Sequence, residues 1–149
     1  MKKRVLRKEF FITLFIKQNK WHRFSVFRHT IMVAYYALRD KNYKMIPAAL
    51  LHDIGKPYVA FQDEEDKLTA QYSFTNHEEI SYQLIKNNPL ISEYTKKLVR
   101  YHYLIRGKNV AKRKDKIGRY NRLSKILDKL DDNFKKDLEI FLKYDDLAK

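Results

Sequence analysis

Histidine and aspartate are the residues of this chain whose types and spacing could do chemistry. The histidines stand at positions 22, 29, 52, 77 and 102, and "LLHDIGKP" (50–57) places Asp53 directly after His52. Imidazole nitrogens and carboxylate oxygens together bind divalent transition metals well. Near the carboxyl end, "FLKYDDLAK" offers Asp145 or Asp146 as a further carboxylate ligand. These residue types therefore permit a metal site if the fold brings them together.

Each of these residues also has a structural explanation when it is taken alone. A single histidine on an apolar helix is more often a hydrogen-bonded core residue than a metal ligand. Asp53 could cap a helix or form an ion pair with Lys56, three residues further on. The residue types and their spacing leave both interpretations open.

The elements that would have to position these residues are predicted to be helices. Only three glycines and three prolines interrupt the 149 residues, and apolar residues recur at steps of three and four. Four of the histidines fall on four different predicted helices, and a bundle can converge ligands from facing helices. We therefore predict an all-α bundle of about six helices. Their expected ranges are about 4–18, 23–40, 44–55, 75–87, 89–104 and 120–147, the last with a break near "DKLDDNF".

Several local features of these helices follow from residue type. Pro47 is compatible only with the first turn of the third helix, and Thr75 or Asn76 can cap the fourth. Gly55 is expected to end the third helix in a left-handed conformation. Residues 56–73 lack a clear periodicity, so we expect the longest loop there, with at most a short strand.

The composition indicates one domain over residues 1–149, since a chain of this length buries about two-thirds of its unfolded surface. Cysteine is absent, which excludes disulfides and cysteine-based zinc sites and is typical of a reducing compartment. The apolar run "FFITLFI" (10–16) is far shorter than the ~20 residues of a membrane span. No signal-peptide cleavage site follows it. We expect a cytoplasmic protein with no membrane partner, and the sequence does not indicate an oligomeric state.

The charge of the chain is strongly basic, with 32 Lys or Arg against 18 Asp or Glu. The segment 106–125, "RGKNVAKRKDKIGRYNRLSK", contains nine Lys or Arg, one acidic residue and Tyr120. Such a segment could contact the phosphates of RNA or DNA, and the alternative is a solvated basic face. Its two glycines indicate that it is partly loop. The candidate contacts with nucleic acid are Lys108, Lys112, Arg113, Lys114 and Arg119.

The order of the candidate ligands resembles the HD superfamily of metal-dependent phosphohydrolases. "AALLHDIGKP" is similar to the central signature of that family, and "FTNHEEIS" is similar to the segment with an additional metal-binding histidine in its two-metal branch. Similar motifs occur in the HD domain of CCA-adding tRNA nucleotidyltransferases and in bacterial HD hydrolases of dinucleoside tetraphosphates. The resemblance covers about residues 22–147 and implies a single HD-type helical bundle. The chain departs from the family in its long, basic segment between His102 and Asp145.

The resemblance implies two divalent metal ions, which could be Mn, Fe, Co, Ni, Zn or Mg. Asp145 is preferred to Asp146 because "KYDDLAK" aligns with the aspartate segment of the family through Tyr144 and Asp145. His22 matches no position of the family. The implied ligands are His29, His52, Asp53 and Asp145 for the first ion, and Asp53, His77 and His102 for the second.

The chemistry that the resemblance implies is cleavage of a phosphate ester or anhydride of a nucleotide or a nucleic-acid end. Two cations can hold a phosphate group and lower the pKa of a water molecule, so no amino-acid nucleophile is needed. Asp53 and Lys56 are the expected catalytic residues, and Lys56, Arg28 and Arg106 are expected to bind substrate phosphate. The alternative is a nucleic-acid-binding module whose metal site is structural or vestigial.

Overall fold

The computed structural model describes residues 25–62 and 73–149. The predicted all-α fold is confirmed, because every regular element in these two ranges is a helix. Phe61 and Ser73 form only an isolated antiparallel bridge. The expected helix at 4–18 and His22 lie outside the described residues. Helices α1 to α8 span Val26–Arg39, Ile46–Leu51, Lys56–Val59, His77–Ile85, Glu93–Tyr101, Leu104–Arg113, Ile117–Asp128 and Asp132–Leu147, and a 3-10 helix, Tyr43–Met45, precedes α2.

Polar side chains determine where three of the helices begin. Ser25, Ser92 and Asp131 each accept a hydrogen bond from the backbone N–H three residues later, at the start of α1, α5 and α8. Such caps satisfy one of the N–H groups that a helix leaves unpaired at its first turn. The cap at Ser92 makes α5 begin later than the Pro89 start that the sequence predicted. Asp131 accounts for the predicted break between α7 and α8.

The hydrophobic core lies between α1, α2, α5 and α8, which pack against one another. Alanines at positions 48 and 49 of the short helix α2 are fully buried, so the neighbouring helices approach it closely. The buried core residues are Val33, Ala37, Met45, Ala48, Ala49, Ile54, Ile85, Leu98, Val99, Phe134, Leu138, Phe141, Tyr144 and Ala148.

The segment that carries the His-Asp pair differs from the expectation. Helix α2 has Pro47 in its first turn as predicted, but it ends at Leu51. Residues 52–55 form a turn and not the last residues of the helix predicted over 44–55. Gly55 has φ −80° and ψ −16°, so the predicted left-handed conformation is wrong. The next residues form α3 rather than the start of a loop. Asn76 does have a left-handed backbone (φ 61°) before α4, but its side chain makes no capping hydrogen bond.

The basic segment is also more regular than its glycines indicated. Both Gly107 and Gly118 lie inside helices, and only residues 114–116 between α6 and α7 are not helical. These two helices pack against each other as a hairpin, and no residue of α7 is buried. The prediction that this segment is partly loop is therefore wrong beyond that short turn. We call residues 104–128 the basic arm.

Across the described ranges, none of the helices combines the length and the apolar character that crossing a membrane would require.

Candidate metal centre

Five buried residues that could ligate a metal come from different parts of the chain and meet at one point. His29 comes from the middle of α1, His52 and Asp53 from the turn after α2, His77 from the first residue of α4, and His102 from the residue after α5. All five are at most 6% exposed. Their ligand atoms form two compact groups, each suited in donor type to a metal ion. The groups are His29, His52 and Asp53, and Asp53, His77 and His102.

Asp53 belongs to both groups because its two carboxylate oxygens face opposite ways. Its Oδ2 lies 3.3 Å from Nε2 of His52 and 3.6 Å from Nε2 of His29. Its Oδ1 lies 3.3 Å from Nε2 of His77 and 4.0 Å from Nε2 of His102. One buried carboxylate thus stands between two pairs of imidazole nitrogens. This is the arrangement that a carboxylate shared by two cations requires.

The orientation of all four imidazoles is set by backbone carbonyls. The Nδ1 atoms of His52, His77 and His102 lie 2.7, 2.9 and 2.7 Å from the carbonyl oxygen three residues earlier. The Nδ1 atom of His29 lies 3.1 Å from the carbonyl oxygen of Ala148. A carbonyl can only accept, so each Nδ1 carries a hydrogen, and whenever a ring is neutral its Nε2 offers a lone pair to the centre. Metal-binding histidines typically have such a partner on the nitrogen that faces away from the ion.

The contacts between the Nε2 atoms indicate that the centre is built for cations. Nε2 of His77 lies 3.2 Å from Nε2 of His102. With both Nδ1 hydrogens directed at carbonyls, two lone pairs face each other unless a proton or a cation lies between them. Nε2 of His52 is buried without an aligned hydrogen-bond partner, although Asp53 is its neighbour. Buried polar atoms are rarely left in this way, so the residues present fit the binding of divalent metal.

The pKa values of the cluster reflect its concentrated charge. Burial opposes the charged form of His52, but the carboxylates of Asp53 and Asp145 outweigh burial and raise its pKa to about 9. Burial raises the pKa of Asp53, yet His52 and Lys56 hold it well below its ordinary value. Burial lowers the pKa of His102, and the neighbouring His52 and His77 lower it further, so this ring is neutral.

Of the two neighbouring aspartates near the carboxyl end of α8, Asp145 faces the cluster. Its Oδ1 lies 2.8 Å from Nε2 of His29 and 3.8 Å from Nε2 of His52, and the residue is 5% exposed. Asp145 adjoins the first ligand group without being one of its compact members. The side chain of Asp146 is half exposed and pairs with Arg106 and Lys149.

The three expected phosphate-binding residues lie in different positions. Lys56 is buried, and its Nζ is 2.7 Å from Oδ2 of Asp53, so it pairs with the central carboxylate. Arg106 extends from α6 to the cluster and lies 2.5 Å from Oδ2 of Asp145. Arg28 is exposed on α1, one residue before His29. Arg106 and Lys56 therefore border the centre directly.

A structural feature that the sequence analysis missed holds the turn with the His-Asp pair in place. The N–H of Gly55 donates to the buried hydroxyl of Ser81 on α4 at 2.9 Å. A Cβ at Gly55 would lie 2.6 Å from the carbonyl oxygen of His77 and from the N–H nitrogen of Ser81. Glycine is thus required for close approach of the turn to α4, which carries His77. Ser81 lies in the middle of α4 and gave no chemical signal in the sequence.

Most of the chain, including the five central residues, matches the model of a known protein family. The family model for the HD domain matches residues 26–133, which include His29, His52, Asp53, His77 and His102 and exclude Asp145. No curated protein and no solved structure matches the chain.

Proposed function

Because the chain belongs to the HD-domain family, we propose that it is a divalent-metal-dependent phosphohydrolase that cleaves a phosphate ester or anhydride. The observation that carries this proposal is the position of Asp53, whose two oxygens face two separate pairs of histidine nitrogens. A site for one structural ion would need only one such pair. Two adjacent cation positions are typical of enzymes that act on phosphate groups.

The side chains of the cluster have distinct proposed roles. His29, His52, Asp53 and Asp145 would hold one divalent ion, and Asp53, His77 and His102 would hold the other. Bound ions would supply a water molecule of lowered pKa and positive charge beside the phosphate. The backbone carbonyls on the Nδ1 atoms keep each ring oriented for this task. Burial of the five central residues keeps bulk water away from their ligand atoms.

Lys56 and Arg106 are the proposed substrate-binding cations. Each is paired with a ligand carboxylate, Lys56 with Asp53 and Arg106 with Asp145. When cations neutralise these carboxylates, Nζ of Lys56 and the guanidinium of Arg106 become available to phosphate oxygens. Arg28 is a weaker candidate because its side chain is exposed in the first turn of α1.

We propose a nucleotide or the end of a nucleic acid as the substrate class. The net charge of +14 favours encounter with polyanions. The motifs that resemble CCA-adding enzymes and dinucleoside tetraphosphate hydrolases point to the same class, and neither specific substrate is assigned. A cytoplasmic location and action as one domain stay predictions.

The proposal is tested by measuring metal content and hydrolysis together. We expect purified protein to bind two Mn²⁺ per chain by calorimetry, and to hydrolyse a chromogenic phosphodiester, nucleoside phosphates or dinucleoside polyphosphates with Mn²⁺, Co²⁺, Ni²⁺ or Mg²⁺. Asp53→Asn keeps the shape of the side chain but removes the charge shared by both ligand groups, so it should weaken the binding of both ions and abolish hydrolysis. The exposed Asp40→Asn serves as a matched control, and it should retain both.

The contrary result would be a protein without bound metal and without hydrolysis on the whole panel, with Asp53→Asn indistinguishable from wild type. If metal binds tightly and no substrate is cleaved, the centre is structural, and the chain is better described as a nucleic-acid-binding HD module. The positive charge of the basic arm is the observation that favours this second function.

A further inference from the structure

The positive charge of the protein is concentrated on the basic arm. Residues 106–125 carry nine Lys or Arg and one Asp, so they supply a net +8 of the chain's net +14. The exposed cations surround the outer end of the α6–α7 hairpin instead of forming one stripe. They are Lys112, Arg113, Lys114, Lys116, Arg119, Arg122 and Lys125. Mutual repulsion among so many like charges disfavours the folded arm, and a polyanion would relieve it.

These cations lack the acidic partners that other basic residues of the chain have. Lys44 pairs with Asp137, Lys97 with Asp131 and Arg100 with Glu79. Among the described residues, no salt bridge involves any of the seven exposed cations of the arm. An intramolecular role in neutralising acidic side chains therefore does not account for them, and their charge is available to a ligand.

The arm is largely exposed along α7, and the base of its helix α6 borders the metal centre. No residue of α7 is buried, and this helix packs mainly against α6. A Cβ at Gly107 would lie 3.3 Å from the ring of Tyr103 and 3.4 Å from Leu123, so the glycine allows the two helices to approach closely. At the base of α6, Arg106 contacts Asp145 beside the metal ligands. A chain of phosphates along the arm would thus lead to the centre.

We propose that the outer surface of the basic arm binds the phosphate backbone of a single-stranded nucleic acid. Seven unpaired cations on one hairpin match the repeated charge of a strand better than the few charges of a mononucleotide. Tyr120 lies within the same surface, with Nζ of Lys108 5.4 Å from its ring centre. Between residues 112 and 119, Ile117 is the sole large apolar side chain, which disfavours insertion into a membrane.

Binding by the arm does not depend on metal chemistry. The further step, that the bound strand is the substrate and that its end enters the metal centre, rests on the proposed function. Binding is therefore measured without metal, so that the two proposals can fail separately.

The test uses a fluorescein-labelled single-stranded RNA of about 15 nucleotides, a length at the upper end of common single-strand binding sites. Fluorescence anisotropy is recorded in EDTA at several salt concentrations for wild type, for Lys112→Ala/Arg113→Ala/Arg119→Ala and for Lys86→Ala/Lys136→Ala/Lys143→Ala. Each triple variant loses three exposed positive charges, and only the first loses them from the arm. Circular dichroism and thermal unfolding check that both variants fold.

We expect the arm variant to bind at least tenfold more weakly at moderate salt, and the control variant to stay within twofold of wild type. The plot of log affinity against log salt should become less steep by about 2, since each phosphate contact on a single strand contributes roughly 0.7. An arm variant within twofold of wild type would overturn the proposal. So would equal losses in both variants, or wild-type binding to vesicles of anionic lipid without binding to the RNA.

Asp53→Asn separates the two proposals. Its RNA affinity in EDTA should equal that of wild type, because the substitution leaves the arm unchanged, and a loss of binding there would contradict the arm as the binding surface. If the arm variant loses RNA binding while wild type shows neither metal binding nor hydrolysis, the arm proposal stands and the proposed function fails.

Discussion

The imidazole of His52 shows how charge is balanced among the buried residues of the centre. Two carboxylates raise its pKa to about 9, so the ring is positively charged at neutral pH in the metal-free protein. Its charge, with that of Lys56, balances the buried carboxylate of Asp53. A metal ion needs the neutral ring as its ligand and must displace this proton.

We therefore predict that metal binding by the wild-type protein releases a proton and strengthens as the pH rises. Because the metal-free pKa lies above neutrality, the apparent affinity for Mn²⁺ should increase by up to about tenfold per pH unit between pH 6 and pH 8. The increase should level off as the pH approaches about 9, where His52 is already half neutral. Calorimetry in buffers of different ionisation enthalpy measures the released protons directly. A binding heat that is independent of the buffer would contradict this prediction.

A second prediction at the residue scale distinguishes Asp145 from its neighbour Asp146. Both carboxylates pair with Arg106, but only Asp145 also lies 2.8 Å from Nε2 of His29. Asp145→Asn should weaken Mn²⁺ binding by at least the roughly tenfold that loss of a metal-supporting group costs. Asp146→Asn should remain close to wild type in calorimetry. Equal effects of the two substitutions would show that the pairing with Arg106, and not a ligand role, explains the position of Asp145.

At the scale of elements, the turn at 52–55 is the part of the site that depends most on close packing. Its N–H at Gly55 donates to Ser81, and there is no room for a side chain between the turn and α4. Because the turn carries His52 and Asp53 and α4 carries His77, this contact fixes the spacing between the two ligand groups.

Two glycine substitutions test this packing. Gly55→Ala places a Cβ 2.6 Å from backbone atoms of α4, so we expect a loss of about 1–3 kcal/mol in the free energy of unfolding. Metal affinity should fall as well, since the turn has to move. Gly118→Ala has nothing within 4 Å of the new Cβ and lies in a helix, so it should be neutral or stabilising by less than about 1 kcal/mol. Urea unfolding measures both changes, and a Gly55→Ala protein of wild-type stability would contradict the packing argument.

The elements also show what could be read from the sequence and what could not. Helix type follows from periodicity, which is a local property of the chain, whereas the ligand set was implied by the resemblance of the motifs to the HD superfamily. The role of Gly55 depends on the distance to Ser81 on another helix, and a left-handed glycine was the local alternative that proved wrong. The glycines inside α6 and α7 are a further local signal that predicts loop where the structure is helical, because Gly107 is explained by its contact with α7. The pairing of Lys56 with Asp53 was one of the alternatives that the sequence left open.

At the scale of the whole molecule, the centre connects segments that are far apart in the chain. His29 on α1 and Asp145 on α8 face each other across more than 100 residues of sequence, and the carbonyl oxygen of Ala148 orients His29. The ligand groups exist as compact sets only when α1, α2, α4 and α5 are packed together. An unfolded chain cannot present them, so metal binding must be coupled to the stability of the entire fold.

We therefore predict that Mn²⁺ raises the thermal stability of the wild-type protein. At a free metal concentration 100 times the dissociation constant, binding to the folded state alone adds about 2.7 kcal/mol. For a chain of this size, that corresponds to an increase in Tm of roughly 5–11 °C. Differential scanning calorimetry with and without Mn²⁺ measures the shift, and excess EDTA should reverse it. Asp53→Asn removes the carboxylate charge shared by both groups and should show a small shift or none, whereas the exposed Asp40→Asn should retain the wild-type increase. If saturating Mn²⁺ leaves the Tm of the wild type unchanged, the buried histidine cluster is not where the metal binds. The same conclusion would follow if the Tm of Asp53→Asn rose as much as that of the wild type.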